Sequence, residues 1–283
     1  MKILTLQEFV ENKIPKKEDF KTALNQFESD CVLPFLGKEV IGAFAYGSVN
    51  RDDCSLSSDI DYFMIITNNN HQIRIREATK RAFEERNISI QTRVNNKKFA
   101  VEGFHGLDLS FLEHLGLSVE KYGHKGMNPL EVIASNDVLL KNALRASISN
   151  YLTKLNNGYN NYPTSEHEYV TFLKAILEKP FHAMRVGIQY EFGTVAPDGK
   201  EDFHDTKDAL IKVYSRIDKE GLEHIKKLKI LSGKYNHLLE QRQNGKIPPS
   251  ELESRYDNML TEIMWHYPVA YRFIERNAER MMK

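Results

Sequence analysis

The chain has 283 residues, enough to bury one large core or two modest ones. Its 39 Lys and Arg balance its 39 Asp and Glu, so no global charge directs it to nucleic acid or to a membrane surface. Only two cysteines, an early polar N-terminal stretch and the lack of a long apolar run argue against a disulfide framework, a signal peptide and a membrane span, and we expect a cytoplasmic protein.

The first half of the chain predicts helices and strands in alternation. The N-terminal residues carry apolar side chains at helical spacing, and shorter apolar or alternating runs follow. The predicted elements are a helix within 1–40, strands at 41–46 and 60–67, a helix at 71–86, and strands at 88–95 and 107–112. This order favours a small mixed sheet with helices on one face.

From about residue 126 the pattern predicts helices. Capping residues indicate where they begin, namely Asn128 before Pro129, Ser165 before Glu168, Asp205, and Ser250 before Glu253. The polar run 156–163 predicts a loop between helices. We therefore expect an α/β (α+β) fold, with a mixed-sheet domain over 1–125, a helical bundle over 126–283 and a substrate cleft between them.

A Gly-Ser turn and two closely spaced carboxylates stand at the ends of two apolar strands. Gly47 and Ser48 follow the first of these strands, and Asp59 and Asp61 open the second. Side chains alternate along a strand, so Asp59 and Asp61 point to the same face. Paired carboxylates repel unless a cation lies between them, and Mg²⁺ prefers oxygen ligands. Because Gly47 lets the backbone approach a phosphate and Ser48 adds a hydroxyl, the combination predicts a metal-nucleotide site.

This combination resembles the nucleotidyltransferase superfamily that includes DNA polymerase β, whose mark is a Gly-Ser turn followed by Asp-x-Asp on the next strand. The resemblance implies transfer of a nucleoside monophosphate, with AMP from ATP as the expected case, and release of pyrophosphate. It also implies a requirement for Mg²⁺, with two ions expected. Asp59 and Asp61 become the catalytic metal ligands, and Gly47, Ser48 and Ser58 become nucleotide-binding residues.

The superfamily completes its metal site with a third Asp or Glu on a neighbouring strand. Asp108 alternates with two leucines in the predicted strand 107–112, so we expect it to be the third catalytic carboxylate and metal ligand. Gln91 is the only residue at an equivalent place in the strand 88–95, and Glu102 lies in a less regular stretch.

Residues 185–209 resemble the helical domain of antibiotic nucleotidyltransferases of the streptomycin/spectinomycin adenylyltransferase kind. There a helix that bears an Arg ends in a Thr-Gly-like turn, and a Lys opens the next helix. The resemblance implies that Arg185 and Lys207 bind the nucleoside triphosphate, with Lys200 as the alternative for the second cation. Arg51, in the loop after the Gly-Ser turn, is a further candidate for contact with a phosphate.

The sequence leaves the acceptor open. A small molecule with a hydroxyl, such as an aminoglycoside-type antibiotic, suits the segment 191–208, in which six acidic residues stand against two lysines. RNA, the substrate of some nucleotidyltransferase toxins, suits the segment 71–98, in which eight Lys or Arg stand against three Glu. The second resemblance and the zero net charge favour the small molecule, and the intact motifs argue against a regulator without catalysis. Four carboxylates stay open as the general base, namely Asp108, Glu166, Glu168 and Glu178.

Overall fold

The computed structural model describes residues 1–102, 107–133, 140–161, 163–201, 203 and 206–282, with the backbone alone at 140–142. The predicted helix cap Asp205 lies outside the described residues. Within these ranges, no helix combines the length and the apolar character needed to cross a bilayer.

The described part of the chain contains one mixed sheet. Its strands are β1 (Val40–Tyr46), β2 (Ile60–Ile66), β3 (Ile90–Asn96) and β4 (Lys125–Gly126), in the spatial order β3–β2–β1–β4. Strand β2 is antiparallel to β1 and parallel to β3, and β1 is antiparallel to β4. The register places Asp61 beside Tyr46 on one neighbouring strand and beside Gln91 on the other. The mixed α+β architecture confirms the predicted fold class.

Helices cover both faces of this sheet. The helices of the first half are α1 (Leu6–Val10), α2 (Lys17–Cys31), α3 (Gly47–Asn50), α4 (His71–Arg86), α5 (Lys97–Val101) and α6 (Leu109–Tyr122). Residues of α2 and α4 pack with Tyr62 and Met64 on one face, and residues of α5 and α6 pack with Phe44 and Phe63 on the other. The prediction of helices on one face is wrong, because β1 and β2 are apolar at consecutive positions and need cover on both sides.

The predicted strand at 107–112 is also wrong. Helix α6 begins at Leu109, and the Oδ1 atom of Asp108 accepts a hydrogen bond from the backbone N–H of Phe111 at 2.8 Å, which makes Asp108 the N-cap. The alternating run is short, and it continues with Leu115 and Val119 at helical spacing. These two side chains pack on the sheet, so burial of a helical face decides the conformation.

The second half of the chain is helical. Its helices are α7 (Leu140–Asn160), α8 (Glu166–Phe192), α9 (Lys207–Tyr214), α10 (Lys219–Gln243), α11 (Leu252–Trp265) and α12 (Tyr267–Met282), and short 3₁₀ turns lie at Leu33–Phe35, Pro129–Val132 and Pro249–Glu251. Helix α8 begins as predicted, since the Ser165 hydroxyl accepts from the backbone N–H of Glu168, and it ends at Gly193, which has a φ of 73°. Because α7 continues through Asn160, the predicted loop at 156–163 is mostly helix.

The first fourteen residues belong to the core of the helical half. The Tyr235 hydroxyl accepts from the backbone N–H of Leu4 at 2.8 Å, and the Tyr256 hydroxyl donates to the Leu4 carbonyl. The Arg242 side chain donates to the Phe9 carbonyl at 2.9 Å. The buried apolar residues of this segment join one core with α7 to α12, and they are Ile3, Leu4, Phe9 and Ile14. The predicted boundary near residue 125 therefore does not separate the two cores along the chain.

Candidate functional site

The Gly-Ser turn lies directly against Asp61, the second residue of the carboxylate pair. Gly47 follows the last residue of β1 and has a φ of 79°, a conformation that side-chain-bearing residues rarely adopt. A Cβ atom on Gly47 would lie 2.6 Å from the Oδ2 atom of Asp61. The Ser48 hydroxyl donates to the Ser58 hydroxyl at 3.1 Å, and Ser58 is buried behind it. Glycine is therefore required here for its backbone conformation and for the space it leaves to Asp61.

Replacing Gly47 with alanine is expected to reduce both stability and nucleotide affinity. The left-handed conformation costs about 1–2 kcal/mol for a residue with a Cβ, and the new methyl group must displace Asp61. Gly37→Ala is the matched control, because Gly37 has a φ of 74° and open space around its Cβ position. In urea unfolding, backbone strain should lower the free energy of unfolding by a similar amount in both variants. Calorimetry with Mg²⁺ and ATP should show weaker nucleotide binding only for Gly47→Ala. Equal nucleotide affinity in the two variants would contradict the assignment of this turn.

Asp59 and Asp61 share a face of the sheet but have opposite electrostatic surroundings. The Oδ2 atom of Asp59 accepts from Lys174 Nζ at 2.6 Å and from Gln91 Nε2 at 2.5 Å, and Oδ1 accepts from the α-amino group of Met1 at 2.7 Å. Burial opposes ionisation of Asp59, but attraction to the Met1 and Lys174 ammonium groups holds its pKa below the usual range. Burial, and then repulsion from Asp59, raise the pKa of Asp61 to about 8. Further positive charge beside Asp61 would therefore favour its ionised form.

Helix α8 brings a third carboxylate and several cations to the same place. The Oε1 atom of Glu178 accepts from the α-amino group of Met1 at 2.6 Å, and its Oε2 atom lies 3.8 Å from Lys174 Nζ. Lys174, Glu178 and Arg185 are four and seven residues apart, so they lie on one face of the helix. This face is turned toward Asp59 and Asp61.

The two halves enclose a cavity of about 950 Å³. The Gly-Ser turn and the Asp59–Asp61 pair line it from the sheet, and α7 and α8 line it from the helical half. Four carboxylates and six Lys or Arg side chains contribute to its wall, and the cations are Arg51, Arg93, Lys154, Lys174, Lys179 and Arg185. An arrangement of cations opposite a carboxylate pair suits a ligand with a metal ion and a polyphosphate.

Lys179 is a cation of this wall that sequence reasoning missed. Its Nζ atom lies 3.3 Å from His182 Nδ1 and 5.6 Å from the centre of the Tyr151 ring. Burial lowers the pKa of Lys179 to about 8, which the attraction of Glu178 opposes and the repulsion of Lys154 assists. An anion bound in the cavity would relieve this repulsion. The sequence carries no motif that marks Lys179, and its position at the cavity becomes visible only once helix α8 is packed over the sheet.

Most of the predicted site residues meet at this cavity, and some do not. Gly47, Ser48, Arg51, Asp59, Asp61 and Arg185 line the cavity, and Ser58 lies behind Ser48. Asp108 is not among the lining residues, since its carboxylate accepts from the Ser110 hydroxyl at 2.6 Å and caps α6. The strand on which its assignment as a metal ligand rested is absent, and Gln91 of β3 is the neighbour of Asp61 instead.

Neither candidate for the second nucleotide cation lines the cavity. The Nζ atom of Lys207 donates to the Ser232 hydroxyl at 3.0 Å and lies 4.6 Å from the centre of the Phe181 ring. Lys200 is exposed and lies 3.3 Å from Glu120. The lysines that line the cavity are Lys154, Lys174 and Lys179.

The acid-rich segment 191–208 also lies away from the cavity as far as its described residues show. Asp198 pairs with Arg216, and Asp208 pairs with Lys229. Asp202 and Asp205 lie outside the described residues. The described carboxylates of this segment are therefore neutralised by nearby cations of the helical half or face solvent.

The carboxylate pair offers a site for a divalent cation but not a complete set of protein ligands. Across the ranges given above, no group of three or more His, Cys, Asp and Glu is spaced to hold a metal ion. Asp59 and Asp61 would supply two ligands, and phosphate or water oxygens would have to supply the others, as is usual for Mg²⁺. The chain matches no protein-family model, and no similar protein is found among curated proteins.

Proposed function

We propose that this chain is a metal-dependent nucleotidyltransferase that transfers a nucleoside monophosphate, with AMP from ATP as the expected case, to a hydroxyl of a small molecule. One observation carries the proposal. The Gly47–Ser48 turn and the Asp59–Asp61 pair face the cations of α8 across a single cavity. The resemblance to polymerase β-like nucleotidyltransferases and to antibiotic adenylyltransferases supports the same reaction.

Asp59 and Asp61 are the residues that would hold Mg²⁺. Their chemistry fits the ion, because two carboxylates on one face supply the hard oxygen ligands that Mg²⁺ prefers, and the Met1 and Lys174 ammonium groups that now bind Asp59 would move aside for it. When bound, the ion neutralises phosphate oxygens and makes the α-phosphorus more electrophilic. Gln91 orients Asp59 through its side-chain amide.

The remaining residues bind the triphosphate and neutralise the leaving group. A triphosphate carries more negative charge than the metal ion balances, so further cations are needed. Arg185, Lys179 and Lys154 line the side of the cavity that the helical half forms, and Arg51 lines the side that the sheet half forms. The Ser48 hydroxyl and the backbone at Gly47 are placed to contact phosphate oxygens.

Glu178 is the general base in this proposal. Of the four carboxylates that the sequence left open, Asp108 caps α6, Glu166 accepts from the backbone N–H of Leu6, and Glu168 accepts from Thr164. Only Glu178 lies beside Asp59, to which Lys174 connects it. It accepts the proton of the acceptor hydroxyl while that oxygen bonds to the α-phosphorus. The bond from the α-phosphorus to the bridging oxygen breaks, and pyrophosphate leaves.

A labelling experiment tests the reaction. The protein is incubated with Mg²⁺ and ATP labelled in the α-phosphate, together with aminoglycosides in one series and total RNA in another. We expect label in a small molecule and an equal amount of pyrophosphate, both abolished by EDTA. Absence of label and of pyrophosphate in every series, in a protein that binds Mg²⁺ and ATP, would contradict the proposed function.

Arg185→Ala is expected to weaken binding of Mg²⁺-ATP about ten- to hundredfold, the usual contribution of a charge-assisted contact to phosphate. Lys207→Met should change the dissociation constant less than about twofold. The Lys207 amine lies outside the cavity, and burial lowers its pKa to about 8, so a neutral side chain of similar length fits the same space. Calorimetric titration of both variants tests whether Arg185 alone binds the nucleotide or whether Lys207 also binds it, as the sequence resemblance implies. A loss in Lys207→Met as large as that in Arg185→Ala would restore Lys207 as a nucleotide ligand.

A further inference from the structure

Lys174 reaches from helix α8 to the carboxylate pair of the sheet. Its Nζ atom lies 2.6 Å from the Oδ2 atom of Asp59 and 3.8 Å from the Oε2 atom of Glu178. The Lys174 side chain is 21% exposed and the Asp59 side chain is 7% exposed, so water screens their attraction only weakly. Asp59 is also one of the two carboxylates that the proposed function assigns to the metal ion. Lys174 and the metal ion therefore compete for the same carboxylate.

The charges around Lys174 are already balanced in the structure. The ammonium groups of Met1 and Lys174 are matched by the carboxylates of Asp59 and Glu178. A divalent ion at Asp59 and Asp61 would add more positive charge than ionisation of Asp61 returns. Both ammonium groups would then share Glu178, which already accepts from Met1. Breaking a largely buried ion pair in this way is costly, so the metal ion needs a further anion to bind well.

We propose that Lys174 exchanges Asp59 for the triphosphate of the nucleotide when the metal ion binds, so that the metal ion and the nucleotide strengthen each other's binding. The inference rests on the proposed function, in which both ligands occupy the cavity that Lys174 lines. The triphosphate supplies the negative charge that the metal ion alone does not bring. Lys174 thereby acts as a positioning residue before the nucleotide arrives and as a phosphate ligand afterwards.

A lysine is suited to such an exchange of partners. Its ammonium group is a compact charge with several donors at the end of a long flexible stem, whereas arginine presents a rigid planar fork. Rotation about the side-chain bonds of Lys174 can carry the Nζ atom from Asp59 into the cavity without any movement of α8. The Gly47–Ser48 turn, where the proposed function places phosphate oxygens, lines the same cavity.

The experiment measures metal and nucleotide affinities of the unmodified protein and of Lys174→Met. Without nucleotide, electron paramagnetic resonance should show that the variant binds Mn²⁺ about ten- to hundredfold more tightly, because the ion no longer displaces a charge-assisted hydrogen bond. At saturating Mn²⁺, calorimetry should show that the variant binds a non-hydrolysable ATP analogue about ten- to hundredfold more weakly, because one contact to phosphate is lost. General damage to the site would instead weaken the binding of both ligands.

Two further variants serve as controls. Lys229→Met is the matched control, because Lys229 also pairs with a carboxylate, that of Asp208, and does not line the cavity. It should change neither affinity. Lys174→Arg keeps a cation beside Asp59, so its Mn²⁺ affinity without nucleotide should stay close to that of the unmodified protein.

A measurement on the unmodified protein does not depend on the stability of Lys174→Met. Nuclear magnetic resonance of isotope-labelled lysine ammonium groups follows the partner of Lys174 directly, and the loss of a signal in Lys174→Arg identifies it. The signal should shift from its position in the ligand-free protein once Mg²⁺ and the ATP analogue are both bound. A Lys174 signal that keeps its position in the complete complex would overturn the exchange.

The outcomes separate this inference from the proposed function. Unchanged or weaker Mn²⁺ binding in Lys174→Met without nucleotide would overturn the competition for Asp59. Unchanged affinity for the ATP analogue would overturn the transfer of Lys174 to the triphosphate. Equal changes in Lys229→Met would reveal a general effect of net charge and overturn the assignment to Lys174. If the unmodified protein does not bind Mn²⁺ even with the ATP analogue present, the proposed function itself fails.

Discussion

Asp61→Asn is expected to lower the rate of nucleotidyl transfer by at least about a thousandfold, the scale of losing a central electrostatic contact to the reacting group. The substitution keeps the shape of the side chain but removes the negative charge that would bind the metal ion in the proposed reaction. The rate is measured with α-labelled ATP, and Mn²⁺ binding is followed separately by electron paramagnetic resonance. Both should be lost. Asp52→Asn is the matched control, because Asp52 has the same chemical change, is exposed and lies outside the cavity.

In the absence of metal, Asp61→Asn is expected to make the folded protein more stable. The pKa of Asp61 rises from an ordinary 3.8 to about 8 in the folded protein, so between these values the folded state binds more protons than the unfolded state. The free energy of unfolding therefore falls as the pH rises through this window. In EDTA at pH 8, Asp61→Asn should be more stable by about 1–3 kcal/mol and less dependent on pH. Near-normal transfer, or a stability that still falls from pH 4 to pH 8 as in the unmodified protein, would contradict these roles for Asp61.

Glu178→Gln is expected to lower kcat by about 10²- to 10⁴-fold, the range for loss of a general base, while the affinity for Mg²⁺-ATP stays within about threefold. Glutamine keeps the hydrogen-bonding length of the side chain but cannot accept the hydroxyl proton. Single-turnover rates and calorimetry measure the two quantities independently.

Glu168→Gln provides the control, because Glu168 lies on the same helix and lines the same cavity. Its carboxylate accepts from the backbone N–H and the hydroxyl of Thr164, so its replacement should cost some stability at the start of α8 and leave kcat unchanged. If Glu168→Gln lowers kcat and Glu178→Gln does not, the base has been assigned to the wrong turn of the helix.

The sheet side of the site could be predicted because its functional residues lie close together in the sequence. The strands at 41–46 and 60–67 are continuous apolar runs, so the polar residues at their ends are easy to recognise in the sequence. Strand alternation then fixes the shared face of Asp59 and Asp61 without knowledge of any distant contact. The structure places Asp61 beside Gly47, and both carboxylates line the same cavity.

The helical side could not be predicted in the same way. Lys179 and Glu178 are consecutive residues of a 27-residue helix, and only the packing of α8 over the sheet gives them a position opposite Asp59. Lys207 shows the converse case. Its place at the start of α9 fits a motif, but its amine is covered by Phe181 and Ser232 from neighbouring helices. Asp108 fails for a third reason, since an alternating run of a few residues is compatible with the first turn of a helix.

The packing of the first fourteen residues limits how far the two halves can separate. The chain leaves the core of the helical half after Ile14, returns to it at Leu56 and joins it again from Leu144 onward. The same segment also contacts the sheet half, because the backbone N–H of Lys2 donates to the Ser57 carbonyl and the side chain of Asn87 donates to the Lys13 carbonyl. The N-terminal segment therefore holds the two halves together by hydrogen bonds to both of them.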